Sequence, residues 1–208
     1  MIYPNKLVEV NNNLSIYIPV DNQVQLIYAN MLSERKTTPF PFWAKIWPAA
    51  KAMVAFLQKE PQWITNKKVL EIGAGIGFPS FAIANHTISI IISDYSTDAV
   101  ELIQENINYL KINNATAMCL DWNNFPPNII ADTIILSDVN YDPSQFDALN
   151  QLIQYLLNKG STLIIATPQR IIASPFVKML QPSIKKMYTE EVQHENQLLS
   201  ISICILYQ

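Results

Sequence analysis

Val69-Leu70-Glu71-Ile72-Gly73-Ala74-Gly75-Ile76-Gly77 decides how this chain folds. A short apolar run carrying one acid, followed by glycines at alternate positions, describes a strand that turns into a helix through a segment stripped of side chains. Backbone can then approach a ligand closely. The chain has four glycines in 208 residues and spends three of them here. Pro79 sets the helix start near Phe78, because proline is tolerated in a first turn, where its missing N–H has no intrahelical partner. The ligand implied is nucleotide-like.

Spacing separates the candidate ligands. The dinucleotide fingerprint G-x-G-x-x-G/A counted from Gly73 needs a small residue where Phe78 stands, and counted from Gly75 it meets Ser80. No Gly-Lys-Ser/Thr follows, so a P-loop is excluded. The E-x-G-x-G-x-G form found in enzymes that use S-adenosylmethionine (SAM) fits without exception.

Downstream of Lys68, strands and helices alternate, the pattern of a parallel sheet covered on both faces. Strands are expected at Val69 to Ile72, Ile88 to Ser93, Ala115 to Leu120, Asp132 to Ser137 and Thr162 to Ala166. Helices are expected at Pro79 to Asn85, Asp98 to Lys111, Gln145 to Asn158 and Ser174 to Leu180. The second helix shows Val100, Ile103, Ile107 and Leu110 on one face, with Asp98-Ala99-Val100-Glu101 as its capping start. Two β-rich runs close the chain, Lys186 to Gln193 and Leu198 to Tyr207, joined through His194-Glu195-Asn196. Upstream, Leu14, Ile16 and Ile18 alternate, Asp21-Asn22 punctuates, and Val24, Leu26 and Tyr28 resume, which predicts an N-terminal hairpin. Ser33 to Thr38 is polar and reads as mobile, and prolines at 39, 41 and 48 lead into a helix from Pro48 to Lys59. The expectation is a single α/β domain, 1–208. It is a doubly wound, mostly parallel seven-stranded sheet with an antiparallel C-terminal strand and an N-terminal β-hairpin extension. Residues 1–47 form an accessory hairpin and lid, and 48–208 a Rossmann-like core.

Composition narrows the function classes. Half the residues are hydrophobic, 15% are charged and the net charge is −3. Average chains carry roughly a quarter charged residues, so this balance argues against a nonspecific nucleic-acid surface. The first residues lack a signal-peptide core, and no apolar run approaches the roughly 18 residues a membrane span needs. A cytoplasmic protein without membrane contact is expected. Cys119 and Cys204 are isolated and read as reduced core residues, and with only His86 and His194 there is no zinc spacing, so no metal is expected. His86 reads as a helix C-terminal residue and His194 as a turn residue.

Ligands of such a sheet bind beyond the carboxyl ends of its strands, where the strand order reverses. Glu71 and the glycines end the first strand, Asp94 the second, Asp121-Trp122 the third and Asp138-Val139-Asn140-Tyr141 the fourth. Asp94 follows Glu71 by 23 residues, a spacing suited to a carboxylate that accepts both ribose hydroxyls; the plainer alternative is a cap leading into the next helix, beside Ser96 and Thr97. Asp121 can accept an adenine amine hydrogen, with Trp122 as an apolar wall.

These segments resemble the successive motifs of seven-β-strand SAM-dependent methyltransferases. Pro39-Phe40-Pro41-Phe42-Trp43-Ala44-Lys45-Ile46-Trp47-Pro48 resembles the P-F-W-A-x-x-W-P segment of the family-16 protein-lysine methyltransferases, the group that includes the enzyme for the β subunit of electron-transfer flavoprotein. The likeness runs from about Pro39 to Pro175, with Thr167-Pro168-Gln169-Arg170 also family-like. It implies SAM as cofactor, held by Trp47, Glu71, Gly73, Gly75, Gly77, Asp94, Tyr95, Asp121, Trp122 and Asp138. It further implies Asp138 and Tyr141, matching the family's D-x-x-Y, as catalytic residues at the methyl-transfer face, and a protein lysine as acceptor. Ala49-Ala50 departs from the glycines common at that point, and the N-terminal 35 residues have no counterpart. Packing alone could account for Trp43 and Trp47, and Tyr141 could be a turn aromatic next to Pro143. Two alternatives stay open: a SAM-dependent N-methyltransferase acting on a small molecule or nucleic acid, and a non-catalytic SAM-binding protein. Asp138-Val139-Asn140-Tyr141 lacks the prolines of the amino-adenine methylases, and no cysteine stands at that strand end for a cytosine-C5 nucleophile.

Overall fold

The computed structural model describes residues 3–11, 14–34 and 39–208. Among the described residues, nine strands and six α-helices run in the order β1 (Asn5–Asn11), β2 (Leu14–Pro19), α1 (Asp21–Ser33), α2 (Pro48–Lys59), β3 (Lys68–Ile72), α3 (Phe78–Ile83), β4 (Ser89–Asp94), α4 (Thr97–Leu110), β5 (Ala115–Cys119), β6 (Thr133–Ser137), α5 (Phe146–Asn158), β7 (Thr162–Pro168), α6 (Ser174–Leu180), β8 (Ile184–His194) and β9 (Gln197–Leu206). The main sheet has seven strands in the order β5-β4-β3-β6-β7-β9-β8, parallel except for β9, which runs antiparallel to both β7 and β8. β3, β4 and β5 step toward one edge, and β6 then returns to the other side of β3. The reversal opens a crevice at the carboxyl ends of β3 and β6.

Alternation along each strand divides the core into two layers. Val69, Ile90, Ile92, Ile135 and Ile164 pack with α2, α3 and α4. Leu70, Ile72, Ile134, Leu136 and Leu163 pack on the opposite face with α5 and α6. These side chains are fully or almost fully buried, and burial stabilises each by roughly 1.5–3 kcal/mol. α2 begins at Pro48, where proline's fixed φ suits the first turn. α4 is capped by Ser96, which accepts from the Ala99 N–H at 3.4 Å, two residues before the expected Asp98 start.

The N-terminal hairpin exists, with the expected strand through Leu14, Ile16 and Ile18 in place as β2 but with its partner upstream rather than downstream. β2 pairs with β1, from Asn5↔Pro19 to Asn11↔Leu14, whereas Val24, Leu26 and Tyr28 lie in α1. Their alternation competes with a helical stripe: Val24 is buried, Ile27 packs beside it, and Leu26 is exposed. Asn106 of α4 ties the hairpin down, accepting from the Tyr17 N–H at 2.7 Å and donating to the Tyr17 carbonyl at 2.9 Å. The polar stretch expected to be mobile lies, for residues 35–38, outside the described residues. Cys204 is buried as expected, but Cys119 is exposed, at the end of edge strand β5. His194 ends β8 rather than sitting in the turn. Among the described residues no helix is long and apolar enough to cross a membrane.

Candidate active site

The glycine turn leaves β3 in a left-handed conformation, with φ +68° at Gly73 and +55° at Gly75. Space forbids side chains at both. A Cβ on Gly73 would lie 2.8 Å from Val139 Cγ1, and one on Gly75 would lie 3.0 Å from the Trp43 carbonyl oxygen. Gly77 takes up the first position before α3 and faces Ile92 and Phe81, away from the crevice. Two acids brace the turn from below. Glu71 is buried, and its Oε2 accepts from the Ser80 hydroxyl and, at 3.2 Å, from the Ser80 N–H. Its Oε1 has no partner among the described residues. Burial pushes this carboxyl up to about 8, against the lowering effect of Ser80 and with a further push from Asp94. Asp94 accepts from the Gly75 N–H at 2.8 Å and the Ser96 N–H at 2.9 Å. It therefore braces the turn as well as leading into α4, and burial raises its pKa despite those backbone donors.

At the end of β6, Asp138 has φ +57°, unusual for a residue with a side chain. Such backbone costs on the order of 1–3 kcal/mol and persists only where its surroundings fix it. Here its N–H donates to the Ala166 carbonyl at 2.9 Å, and both carboxylate oxygens accept from Arg170, each at 2.9 Å. Burial raises the Asp138 pKa, and Arg170 opposes that shift. Beneath it, Asn140 and Thr167 exchange buried hydrogen bonds that join the ends of β6 and β7. Tyr141 extends outward, 46% exposed, with its ring 5.3 Å from that of Phe42. Desolvation, then the charges of Asp94, Asp142 and Asp138, push its phenol up, so it stays protonated at neutral pH.

The opposite wall comes from the segment after residue 38. A row of edge-on and tilted rings runs from Tyr28 of α1 through Phe40 to Phe42, which meets both Tyr141 and Trp47. Trp47 donates its indole N–H to the Phe42 carbonyl at 2.8 Å, and Lys45 Nζ lies 5.5 Å from the Trp47 ring. Trp43 meets Tyr3 edge-on, so the N-terminal extension supports the residue whose carbonyl crowds Gly75.

These walls enclose a cavity of about 510 Å³. It gathers Trp47, Glu71, Gly73, Gly75, Asp94, Tyr95, Trp122, Asp138 and Tyr141 from the expected set. Gly77 and Asp121 stand off its wall. Asp121 instead turns back onto its own loop, accepting from the backbone and side-chain N–H groups of Asn123 at 2.9 and 3.0 Å. Arg170, Ser137, Asp142, Phe40 and Phe42 line the cavity without having been expected as site residues. Ser137 and Asp142 adjoin the D-x-x-Y segment, and Arg170 follows a family-like strand end, so position alone could have flagged them. Two buried oxygens on this wall, Glu71 Oε1 and Ser137 Oγ, lack partners among the described residues. With the glycine backbone bare of side chains between them, the donor set fits an adenosine-bearing amino acid such as SAM.

A doubly wound sheet carrying an E-x-G-x-G-x-G turn and D-x-x-Y at neighbouring strand ends is the arrangement of a SAM-dependent methyltransferase. The chain belongs to the lysine methyltransferase family, which it matches over residues 34–183. It is 29% identical over 134 residues to the electron transfer flavoprotein beta subunit lysine methyltransferase of Danio rerio, covering 64% of this chain and 52% of that protein. It is 25% identical over 201 residues to the protein N-terminal and lysine N-methyltransferase EFM7 of Cryptococcus neoformans, covering 89% of this chain and 63% of that one. The chain thus spans between half and two thirds of the length of these curated relatives. Among solved structures, the N-methyltransferase NodS of Bradyrhizobium japonicum in complex with S-adenosyl-L-homocysteine (SAH) superposes with a TM-score of 0.64 at 13% identity, covering 86% of this chain and 98% of that one. At that identity the likeness establishes the fold.

Proposed function

We propose that this chain transfers a methyl group from SAM to the ε-amine of a lysine in a protein, by direct in-line displacement. The observation that carries the reading is the cavity itself. Its inner end is glycine backbone with two buried oxygens that lack partners among the described residues, and its outer end is an aromatic mouth of Phe42, Trp47 and Tyr141. In this reading residues 1–47 are accessory hairpin and lid, and 48–208 are the core.

Bound SAM supplies a sulfonium-activated methyl, so the protein needs no covalent nucleophile. The residues instead align the acceptor and exclude water. A lysine with a reference pKa of about 10.4 must lose its proton, which at pH 7 costs roughly 4–5 kcal/mol at about 1.36 kcal/mol per unit. An apolar aromatic mouth lowers that cost, because desolvation disfavours the ammonium. Tyr141, protonated at neutral pH, can accept a hydrogen bond from the incoming amine at its hydroxyl oxygen. Its ring can face the cationic product. Asp138, with both oxygens held by Arg170, serves as a fixed anion rather than as a proton acceptor.

The test is incubation with radiolabelled SAM and a lysate of cells lacking the protein, followed by mass spectrometry of each labelled band. A methylated lysine supports the proposal. Label confined to arginine, a small molecule or nucleic acid rejects the lysine acceptor. SAM binding without any labelled component rejects catalysis.

A further inference from the structure

Within the methyltransferase reading above, on which this inference rests, we propose that Arg170 is a positioning residue that holds the Asp138 carboxylate as a fixed anion on the cavity wall. The two residues are 32 positions apart and meet because β6 and β7 are neighbours. Both terminal guanidinium nitrogens, Nη1 and Nη2, donate at 2.9 Å, one to each carboxylate oxygen, the fork-to-fork geometry that lysine cannot reproduce. The partners are unequally enclosed: the Asp138 side chain is 5% exposed and that of Arg170 is 37% exposed. Removing the arginine therefore strands an enclosed carboxylate, whereas removing the aspartate leaves a cation that water can reach.

The titratable groups that share the cavity wall with this pair offer the carboxylate no compensating charge. Glu71 approaches from the end of β3, Asp94 from the end of β4, and Tyr141 and Asp142 from the segment after β6. Lys45 is the other cation among the described residues of the cavity wall, and it lies over the Trp47 ring. Burial already raises the Asp138 pKa, and the Arg170 charge is what opposes that rise. Without it, burial acts unopposed and Asp138 takes up a proton at higher pH. Its left-handed backbone also loses the contact that fixes the side chain. The anion that faces the methyl-transfer end of the cavity is thus set from the segment after β7, which carries no part of the glycine or D-x-x-Y motifs.

The experiment uses the full chain as wild type, Arg170→Lys, Arg170→Gln, Asp138→Asn and the Arg170→Gln, Asp138→Asn double variant. SAH affinity is measured calorimetrically from pH 5 to 9, and the Asp138 carboxyl carbon is titrated by NMR in the ligand-free protein. The expected result is an upward shift of the Asp138 titration by a pH unit or more in Arg170→Gln, with Arg170→Lys between it and wild type. The acid limb of SAH binding should move with it, and Arg170→Gln should add no pH shift in the Asp138→Asn background. Should Arg170→Gln fail to fold, Arg170→Lys carries the test. An unmoved Asp138 titration, or SAH affinity lowered equally at every pH, overturns the proposal and makes Arg170 a direct ligand or a plain structural tie. Wild type that does not bind SAH at all overturns the methyltransferase reading instead, and the ligand-free titration still decides the role of Arg170.

Discussion

Glu71→Gln isolates an acid that burial perturbs strongly. The carboxyl is enclosed beneath the glycine turn, with Ser80 on one oxygen and nothing described on the other, and burial raises its pKa from 4.5 to about 8. Below pH 4.5 both folded and unfolded chains hold the proton, and the contribution of Glu71 to stability is fully present. Above that, the unfolded chain releases the proton while the folded one keeps it, so stability falls by about 1.36 kcal/mol for each pH unit. The loss continues until the folded carboxyl ionises near pH 8. Over roughly 3.5 units the total is on the order of 5 kcal/mol, a large share of the roughly 5–15 kcal/mol that holds a domain folded. Glutamine keeps the shape and can still accept from Ser80, but cannot titrate. Urea denaturation of the ligand-free protein at successive pH values from 5 to 8 should therefore give a wild-type stability that falls more steeply than that of Glu71→Gln, by about 1 kcal/mol per pH unit. The α-ammonium of SAH set against Oε1 would draw the carboxyl back toward ionisation, so SAH should release protons on binding to wild type at pH 7 and release fewer with Glu71→Gln. Parallel stability curves for the two proteins would refute the reasoning, because they would mean that Glu71 is solvated or paired in the folded chain.

Asp94→Asn replaces an acceptor of two backbone N–H bonds beside the glycine turn, and charge-assisted bonds of that kind are worth roughly 1.5–3 kcal/mol each. Calorimetry should show SAH affinity reduced at least about tenfold; unchanged affinity would remove Asp94 from the ligand's contacts, and tight NADH binding by wild type would restore the dinucleotide reading. Tyr141→Phe keeps the ring against Phe42 and removes only the hydroxyl, so SAH affinity should hold while turnover on an identified acceptor falls; full turnover would move the reactive face elsewhere. Trp43, Trp47 and Trp122 line the cavity and Trp63 does not, so Trp63→Phe should retain nearly all of the SAH-induced change in intrinsic fluorescence. Loss of that change with Trp63 would place the ligand outside this cavity.

What the sequence disclosed, and what it withheld, follows from the range of the interactions involved. α2 and α6 fall where they were expected because proline in a first turn and apolar periodicity are local constraints. The glycine turn is legible for the same reason: a left-handed backbone with no room for Cβ admits few other residues, and Gly73 and Gly75 meet both conditions. The hairpin was displaced because Val24, Leu26 and Tyr28 satisfy an alternating pattern and a helical one about equally, and packing beside Tyr3 and Ala44 selects the helix. Asp121 shows the limit from the other side. Its acid and the neighbouring Trp122 suggest a ligand wall, but a turn with Asn123 is available two residues away and engages that carboxylate.

Arg170 could not have been assigned its partner from local pattern at all. Its position means something only once β7 lies beside β6, and that adjacency follows from the reversal of strand order on the far side of β3. The same reversal places Asp138 opposite the glycine turn, close enough that Val139 blocks a side chain at Gly73. A single feature of topology therefore sets both the narrowness of the glycine turn and the pairing of Asp138 with Arg170. Perturbing Asp138 should be felt at the glycines through Val139, whereas perturbing Asp94 should reach them through the Gly75 N–H. Loss of SAH affinity alone thus cannot say which acid touches the ligand. The pH profile can, because the two acids differ in what holds them: backbone donors at Asp94, and the guanidinium of Arg170 at Asp138.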